Sequence, residues 1–311
     1  MKVRGQHYVW RFYLEPWAAG DQLYCRRAGE VFAASPEKVA KQRDFYRLRD
    51  LTSRDVRFVQ MLAIDPSPDH LKPLHVNLLK TFAVIPRLKA LADAASPEDS
   101  AAQNALEEAV NNTEELLHGD IEDSAIVYLK SMLNGDTEFY QDDKEVTGFF
   151  YFLCVQYMRT KRGREATMVS AAKSALPPNL QFNMDRAWNA LSHIFATNMG
   201  WSLYTRRRIS RLVLLTNETA IPLITGDQPI INTLATKDGT PPNELELYYP
   251  LSPRLGMLLT QRLEIYPNDR GAMTLADVEN YNGLILAAAH EQIFSDSRVM
   301  MESLRLPSES R

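Results

Sequence analysis

The chain has 311 residues, of which 45% are hydrophobic and 24% are charged, and its formal net charge is -4. Such a composition can bury a large core, and it excludes fibrous and intrinsically disordered classes of protein. The slightly acidic balance argues against a broad nonspecific surface for nucleic acid or membranes, so any phosphate site must be local.

Cysteine usage and apolar runs indicate the compartment. Cys25 and Cys154 lie far apart, which disfavours a disulfide framework and favours a reducing environment. The start of the chain lacks the apolar segment of a signal peptide, and the most apolar run, 149–155, is too short to span a bilayer. We therefore expect a cytoplasmic protein with no membrane partner.

The N-terminal part is predicted to begin with strands and then to become helical. If residues 7–14 are extended, alternation places His7 and Arg11 on one face and an aromatic surface on the other. Residues 21–33 have the pattern of two short strands around an Ala-Gly turn. From Ser35, a capping serine before proline and apolar spacing of three and four residues predict helices, among them 69–95, 97–118 with a Ser-Pro cap at 96–99, and 120–133.

The second half of the chain changes from helices to strands. Asp142, with Glu145 three residues later, predicts the cap of a nearly all-apolar helix at the centre of the bundle, and 183–200 is predicted as another helix. After Arg208, short β-branched and aromatic runs predict strands. Thr274 predicts the cap of a last helix that runs over 274–294.

Helices and strands are segregated along the chain, which predicts an α+β fold in a single domain, 1–311. A helical subdomain, about 35–205, is expected to pack with a mostly antiparallel sheet formed by the N-terminal and C-terminal parts. The β-rich part comprises about 7–33 and about 209–262, together with the C-terminal helix.

Common catalytic motifs are absent from the sequence. It contains no glycine-rich phosphate loop, no GxSxG nucleophile elbow, no HExxH and no CxxC. The six histidines include no pair at i, i+4, so a zinc site built from one helix is not expected. The sequence therefore identifies neither a metal nor a cofactor.

Two polar stretches could carry chemistry near the N-terminus and in the middle of the chain. His7 and Arg11 offer a base and a phosphate clamp, or they decorate the polar face of an ordinary strand. Residues 159–164 hold four basic side chains after the apolar helix, where they would bind an anion or only complement the helix dipole. A second basic cluster, 204–211, has the same two interpretations.

A third polar stretch lies at a strand end in the C-terminal half. Asp227 follows an apolar run and Gly226, which suits a catalytic carboxylate or a turn in which aspartate caps its own backbone. Asn282 lies early in the last helix, where an asparagine is costly unless it is exposed or hydrogen-bonded, and we expect it to support a neighbouring site.

The chain resembles the bacterial domain-of-unknown-function family numbered 4238, whose members begin with a His-Tyr-Val-Pro motif. The matching stretches are HYVWRFYL at 7–14, DFY at 44–46, QYMRTKRGR at 156–164, TGDQPII at 225–231, PLSP at 250–253, and Asn282. Trp10 stands where the family has proline, and Gly226-Asp227-Gln228 stands where Ser-Asp-Asn is more frequent. The resemblance implies no established reaction.

Three functions are compatible with these residues. The first is an enzyme that cleaves a phosphodiester, with RNA as the favoured substrate, as a toxin or phage-defence effector with an antitoxin-like protein partner. Its catalytic residues would be His7, Arg11 and Asp227, and its phosphate or substrate contacts would be Tyr8, Gln156, Arg159, Arg164 and Asn282. The second is a noncatalytic module that binds a nucleotide or anion with the same residues. The third is a nuclease with a divalent metal held by Asp227 and Glu279.

Overall fold

The computed structural model describes residues 2–95, 100–173, 183–236 and 242–304. The helices of this part are α1 (Arg11–Leu14), α2 (Ser53–Val59), α3 (Lys72–Phe82), α4 (Ile85–Ala95), α5 (Ser100–Leu133), α6 (Asp143–Met158), α7 (Lys161–Lys173), α8 (Met184–Thr205), α9 (Leu275–Ala288) and α10 (Arg298–Ser303). The strands are β1 (Gly5–His7), β2 (Leu23–Arg27), β3 (Glu30–Ala34), β4 (Lys41–Arg43), β5 (Arg211–Thr216), β6 (Thr225–Gly226), β7 (Ile231–Asn232), β8 (Glu246–Ser252), β9 (Leu255–Thr260), β10 (Arg270–Ala272) and β11 (Gln292–Ser295).

The described strands form three sheets, and one of them joins the two ends of the chain. Its order is β3-β2-β11-β6, so the N-terminal hairpin pairs directly with a C-terminal strand. A five-stranded sheet has the order β10-β5-β9-β8-β7, and β1 pairs with β4 in a separate two-stranded ladder. Of the described strand pairs, β10 with β5 alone is parallel. The prediction of an α+β fold with a mostly antiparallel arrangement is confirmed.

The first motif is not one extended strand, and that prediction is wrong. The strand β1 ends at His7, and after an extended Trp10 the chain turns into the short helix α1. The cause is packing, because Trp10 stacks on Phe152 with ring centroids 4.7 Å apart, and Tyr13 places its hydroxyl 2.7 Å from the carbonyl oxygen of Pro250. Both contacts need the chain to turn inward.

Several helix boundaries also differ from the prediction. The stretch 69–95 holds two helices, α3 and α4, and the last helix, α9, ends at Ala288, before β11. After Ser35 the chain makes only a three-residue 3-10 turn and then enters β4, and Ala40 has a left-handed φ of 48° that ends any helix there. The helices predicted over 97–118 and 120–133 form one continuous helix, α5, of 34 residues. The predicted cap at 96–99 lies outside the described residues.

The buried centre of the helical part is formed by α6 and α8. Asp142 caps α6 by accepting hydrogen bonds from the backbone N–H groups of Lys144 and Glu145, as the sequence predicts. Asn183 caps α8 in the same way through the N–H of Arg186. After its polar first turns α6 is almost entirely apolar, and it packs against both α8 and the N-terminal segment. Its C-terminal end lies in the polar region described below.

Apolar side chains divide into two clusters. The larger one unites the N-terminal segment, the sheets, α6 and α9, and the smaller one joins residues of α2, α3 and α8. Leu117 and Phe195 pack against both clusters. No helix in the described part of the chain combines the length and the apolarity needed to cross a membrane.

Candidate functional site

His7 lies at the end of β1, directly opposite Lys41 of β4. Its Nε2 is 3.0 Å from the carbonyl oxygen of Glu37. Because a carbonyl oxygen only accepts hydrogen bonds, Nε2 carries the proton in the neutral ring, and Nδ1 keeps its lone pair. The strand pairing and this bond therefore hold the imidazole in one tautomer.

The surroundings of His7 favour its neutral form. Burial lowers the pKa of the imidazole, the hydrogen bond to Glu37 opposes this, and the positive charges of Lys41, Arg159 and Arg11 lower it further. The same cations that favour the unprotonated imidazole would also attract an anion to it. His7 is half-buried, so the ring is reachable from solvent.

Arg11 begins α1 and extends into solvent. Its side chain is 58% exposed, and its Nε lies 3.6 Å from a carboxylate oxygen of Glu15. An exposed pair at this distance restrains the guanidinium only weakly. Arg11 can therefore move towards an anion near His7, as the sequence-based role requires.

Arg159 is deeply buried instead, at the C-terminal end of α6. Its Nε donates to the hydroxyl of Tyr46 at 2.7 Å, and its Nη2 donates to the backbone carbonyl of His7. The guanidinium carbon also lies 4.5 Å from the centre of the Trp10 ring. Arg159 therefore fixes the backbone of His7 and adds positive charge there.

Tyr8 and Gln156 belong to the same buried contact. The Tyr8 hydroxyl accepts a hydrogen bond of 2.6 Å from Nε2 of Gln292, whose Oε1 accepts from the backbone N–H of Ala40 at 3.2 Å. Gln156 donates to the carbonyl oxygen of Tyr8 at 3.5 Å. Gln292 consequently links β11 to the segments that flank β1 and β4, a positioning role that the sequence did not reveal.

Asp227 is buried, and both of its carboxylate oxygens are occupied. They accept backbone N–H groups of His290, Glu291 and Gln292 at 2.7, 2.8 and 3.1 Å. Burial raises the pKa of Asp227, while the three N–H groups act in the opposite direction. The carboxylate fixes the turn that leads into β11, and a Cβ at the neighbouring Gly226 would lie 3.1 Å from the Gln292 carbonyl.

The residues that the sequence predicted to act with Asp227 are bonded elsewhere in the protein or exposed. The imidazole of His7 bonds to Glu37, so the hydrogen bonds of Asp227 and His7 go to different backbone groups. Three converging N–H donors also make the Asp227 carboxylate a poor ligand for a cation, and Glu279 is exposed on α9. Contacts of Arg159, Tyr8 and Gln292 bring together the N-terminal segment at His7, the end of α6 and the turn at Asp227. The Asp227 carboxylate itself is hydrogen-bonded to backbone N–H groups.

Asn282 and Arg164 also bond within the protein. Asn282 accepts from the N–H of Ile224 and donates to the carbonyl oxygen of Pro222, both at 2.9 Å, and so holds the chain that precedes Asp227. Arg164 forms an ion pair with Asp185 at the start of α8. A substrate contact for either side chain stays a prediction.

A cleft of about 430 Å³ opens where the segments 156–164 and 225–231 meet. Thr160, which precedes α7, donates its hydroxyl to Oε1 of Gln228 and so links the two segments. The lining is mostly apolar, and its polar side chains include Arg162, Gln228 and Asn232. Its size and mixed lining are typical of a small-molecule site.

A polar cluster that the sequence did not reveal lies inside the helical bundle. Glu114 and His118 of α5 and His193 of α8 are all buried, and their ligating atoms lie within 4.8 Å of one another. The available signal was a glutamate four residues before a histidine, since residues at this spacing share one helix face. His193 is distant in sequence, so only the packing of α8 on α5 discloses it.

Comparison with known proteins identifies a family. One described as "Protein of unknown function (DUF4238)" matches residues 5–299, which is nearly the whole chain. This match confirms the resemblance inferred from the ordered motifs. No curated protein and no solved structure matches the chain.

Proposed function

We propose that this chain, which belongs to the DUF4238 family of proteins of unknown function, cleaves an RNA phosphodiester at the surface that carries His7. The supporting observation is the oriented imidazole of His7, whose Nε2 is bonded to Glu37 and whose pKa is lowered by burial and by three cations. A general base needs this combination of a fixed ring and a free nitrogen.

RNA is the preferred substrate class because it carries its own nucleophile. In the proposed reaction, Nδ1 of His7 takes the proton of a 2′-hydroxyl, the 2′-oxygen forms a bond to phosphorus, and the bond to the 5′-oxygen breaks. Water supplies the proton for that leaving oxygen. Arg11 and Lys41 attract the phosphate, and the positive charge stabilises the oxygens on phosphorus in the transition state.

The remaining residues act on the position of His7. Arg159 holds its backbone carbonyl, Gln292 ties the adjacent Tyr8, and Asp227 fixes the backbone of Gln292. In this proposal these three are positioning residues and do not touch the substrate.

An RNA-cleavage assay tests the proposal. The wild-type protein is incubated with an end-labelled RNA oligonucleotide and with the DNA of the same sequence. We expect cleavage of the RNA only, and a rate about 10²–10⁴-fold lower for His7→Gln. The matched control is His70→Gln, which changes an exposed histidine that packs on Trp201 and should retain the wild-type rate.

Two results would contradict the proposal. One is equal cleavage by wild type and a folded His7→Gln variant, and the other is no cleavage by the wild type. Induced expression in bacteria tests the role of a toxin or phage-defence effector, because growth arrest should depend on His7. A protein antitoxin would then be the expected partner.

The cleft beside α7 favours a second candidate, a noncatalytic module for a nucleotide or another small anion. Arg162 lines this cleft next to apolar side chains that could hold a base. Titration with a panel of nucleotides would show saturable binding that Arg162→Ala weakens, while His7→Gln leaves it unchanged. Loss of RNA cleavage in His7→Gln supports the first candidate, and loss of nucleotide binding in Arg162→Ala supports the second.

A further inference from the structure

The buried cluster of Glu114, His118 and His193 has the composition of a metal site. Two imidazole nitrogens and one carboxylate oxygen are common ligands of zinc and other first-row divalent cations. All three residues are at least nine-tenths buried, with 2%, 3% and 1% of their surfaces exposed. They come from two packed helices, which hold them in place.

Two of the three distances between the ligating atoms fit tetrahedral coordination, and the third is at most 4.8 Å. Nε2 of His118 and Nε2 of His193 each lie 3.4 Å from the same oxygen, Oε1 of Glu114. Metal–ligand bonds of about 2.0–2.1 Å at a tetrahedral angle place neighbouring ligand atoms roughly 3.3 Å apart. Octahedral neighbours at such bond lengths would be closer, at roughly 3.0 Å.

Hydrogen bonding within the protein does not account for these atoms. Both ring nitrogens of His118 and Nε2 of His193 are buried and have no hydrogen-bond partner among the described residues. A separation of 3.4 Å is longer than the roughly 2.7–2.9 Å of a charge-assisted hydrogen bond. Buried nitrogens without partners are costly, and a cation between them and Glu114 would satisfy two of them at once.

Further residues hold the cluster in a ligating arrangement. The Tyr151 hydroxyl lies 3.3 Å from Nδ1 of His193, and a bond there leaves Nε2 to bind the metal. Asn189 donates to Oε2 of Glu114, so that Oε1 remains available. Such outer contacts orient metal ligands in known sites.

One positive charge, with two acidic side chains beside it, lies near the cluster. Tyr46 contacts both His118 and Arg159, which brings the guanidinium into the neighbourhood of the cluster. Glu115 and Glu122 lie close enough to Arg159 to interact with it electrostatically.

We propose that Glu114, His118 and His193 bind one divalent transition-metal ion in tetrahedral geometry, with zinc the best-matched metal. Three protein ligands leave the fourth position to water or another small ligand. The site is separate from the RNA-cleavage proposal, because neither His7 nor Arg11 is among its ligands.

Metal analysis of the full-length protein, purified without a metal-affinity tag, tests this site. We expect about one zinc ion per chain, and we expect the protein depleted by a chelator to bind one Zn²⁺ or one Co²⁺ with the visible spectrum of tetrahedral cobalt. Anaerobic titration with Fe²⁺ shows whether iron competes. His118→Gln and His193→Gln should each weaken zinc binding by more than about 100-fold, and Tyr151→Phe by roughly tenfold.

The control is His75→Gln, which removes another buried histidine whose two ring nitrogens also lack partners among the described residues. It should bind zinc like the wild type. If a histidine variant does not fold, two other measurements test the site. Glu114→Gln should weaken zinc binding, and adding Zn²⁺ should raise the melting temperature of the wild type. A wild type that neither contains nor takes up one metal per chain would overturn the proposal, as would folded ligand variants with wild-type affinity.

Discussion

At Asp227 three backbone N–H groups converge on a single buried carboxylate. The negative charge is tolerated there because each oxygen is hydrogen-bonded, which compensates for the loss of water. The Asp227 carboxylate thus fixes the turn between α9 and β11 through its hydrogen bonds to that backbone.

The prediction for Asp227→Asn is a loss of stability with little direct effect on chemistry. An amide nitrogen would face N–H donors, so the free energy of unfolding should fall by about 3 kcal/mol. Urea unfolding measures this change, and Asp21→Asn, the same substitution at an exposed position, should change it by less than about 0.5 kcal/mol. Equal stability of the two variants would contradict the structural role.

His7 gives a prediction about pH. The proposed base function requires the neutral ring, and burial together with Lys41, Arg159 and Arg11 lowers the pKa of His7 from 6.5. RNA cleavage should therefore rise with pH through a midpoint below about 6.5 and then level off. In Lys41→Ala, one of the lowering charges is lost, so the midpoint should move to higher pH. If the midpoint of the pH profile does not shift in Lys41→Ala, the base is a residue other than His7.

The sequence identified the polar residues near His7 but not the partners that their side chains have. Arg159, Tyr8 and Asp227 do lie in segments that meet, yet each bonds to backbone or to another side chain of the protein. A one-dimensional pattern does not distinguish a side chain that binds substrate from one that holds a loop. The histidine and glutamate of α5 were visible, but His193 required the packing of two helices.

At the scale of elements, the sequence predicted the features that depend on short-range interactions, namely helix caps and a tight turn. Asp142 and Thr274 cap α6 and α9 as expected, and the hairpin of β2 and β3 turns at Ala28 and Gly29, which both have positive φ. The failures involve distant contacts. The short strand β11 exists because it fills the space between β2 and β6, and α1 exists because its aromatic residues enter the core.

The attachment of the N-terminal segment to α5 gives a prediction about acid stability. Glu107 of α5 accepts from Arg47 at 2.8 Å and from Lys2 at 2.7 Å, and these bonds lower its pKa to about 2. A lowered carboxyl pKa contributes stability above its ordinary value of about 4.5 and loses it as pH falls towards 2. Because the Glu107 side chain is 47% exposed, the contribution is at most about 1 kcal/mol.

The measurement is the free energy of unfolding of wild type and Glu107→Gln from pH 7 to pH 2. The difference between the two proteins should be constant above about pH 5 and vanish near pH 2. Glu279→Gln, a matched change on the surface of α9, should show no such trend. A difference that persists at pH 2 would mean that the substitution of Glu107 alters packing and not charge.

For the whole molecule, the two thiols report on the large apolar cluster. Cys25 of β2 and Cys154 of α6 are both free, buried members of it, and burial raises the pKa of Cys25 to about 12 and also raises that of Cys154. Neither should react with a thiol reagent in the folded protein, because the thiolate is the reactive form.

The predicted single domain can be tested with the same thiols. As denaturant is added, Cys25 and Cys154 should become reactive at the same concentration, because they share one cluster that spans the sheets and α6. Mass spectrometry of each labelled peptide separates the two sites. Exposure of one thiol well before the other would show that the β-rich part and the helical part unfold independently.

The pairing of β2 with β11 has a consequence for the newly made protein. Tyr8 and Gln292, which bond across this junction, are 284 residues apart in the chain. At about 5–20 residues per second, a ribosome needs roughly 15–60 s after making the N-terminal hairpin to synthesise β11, the strand with which β2 pairs. Until then the edge of β2 is open to chaperones, and His7 lacks the support of Gln292. If the protein cleaves RNA as proposed, the incomplete chain would therefore not cleave the message or the ribosome that are producing it.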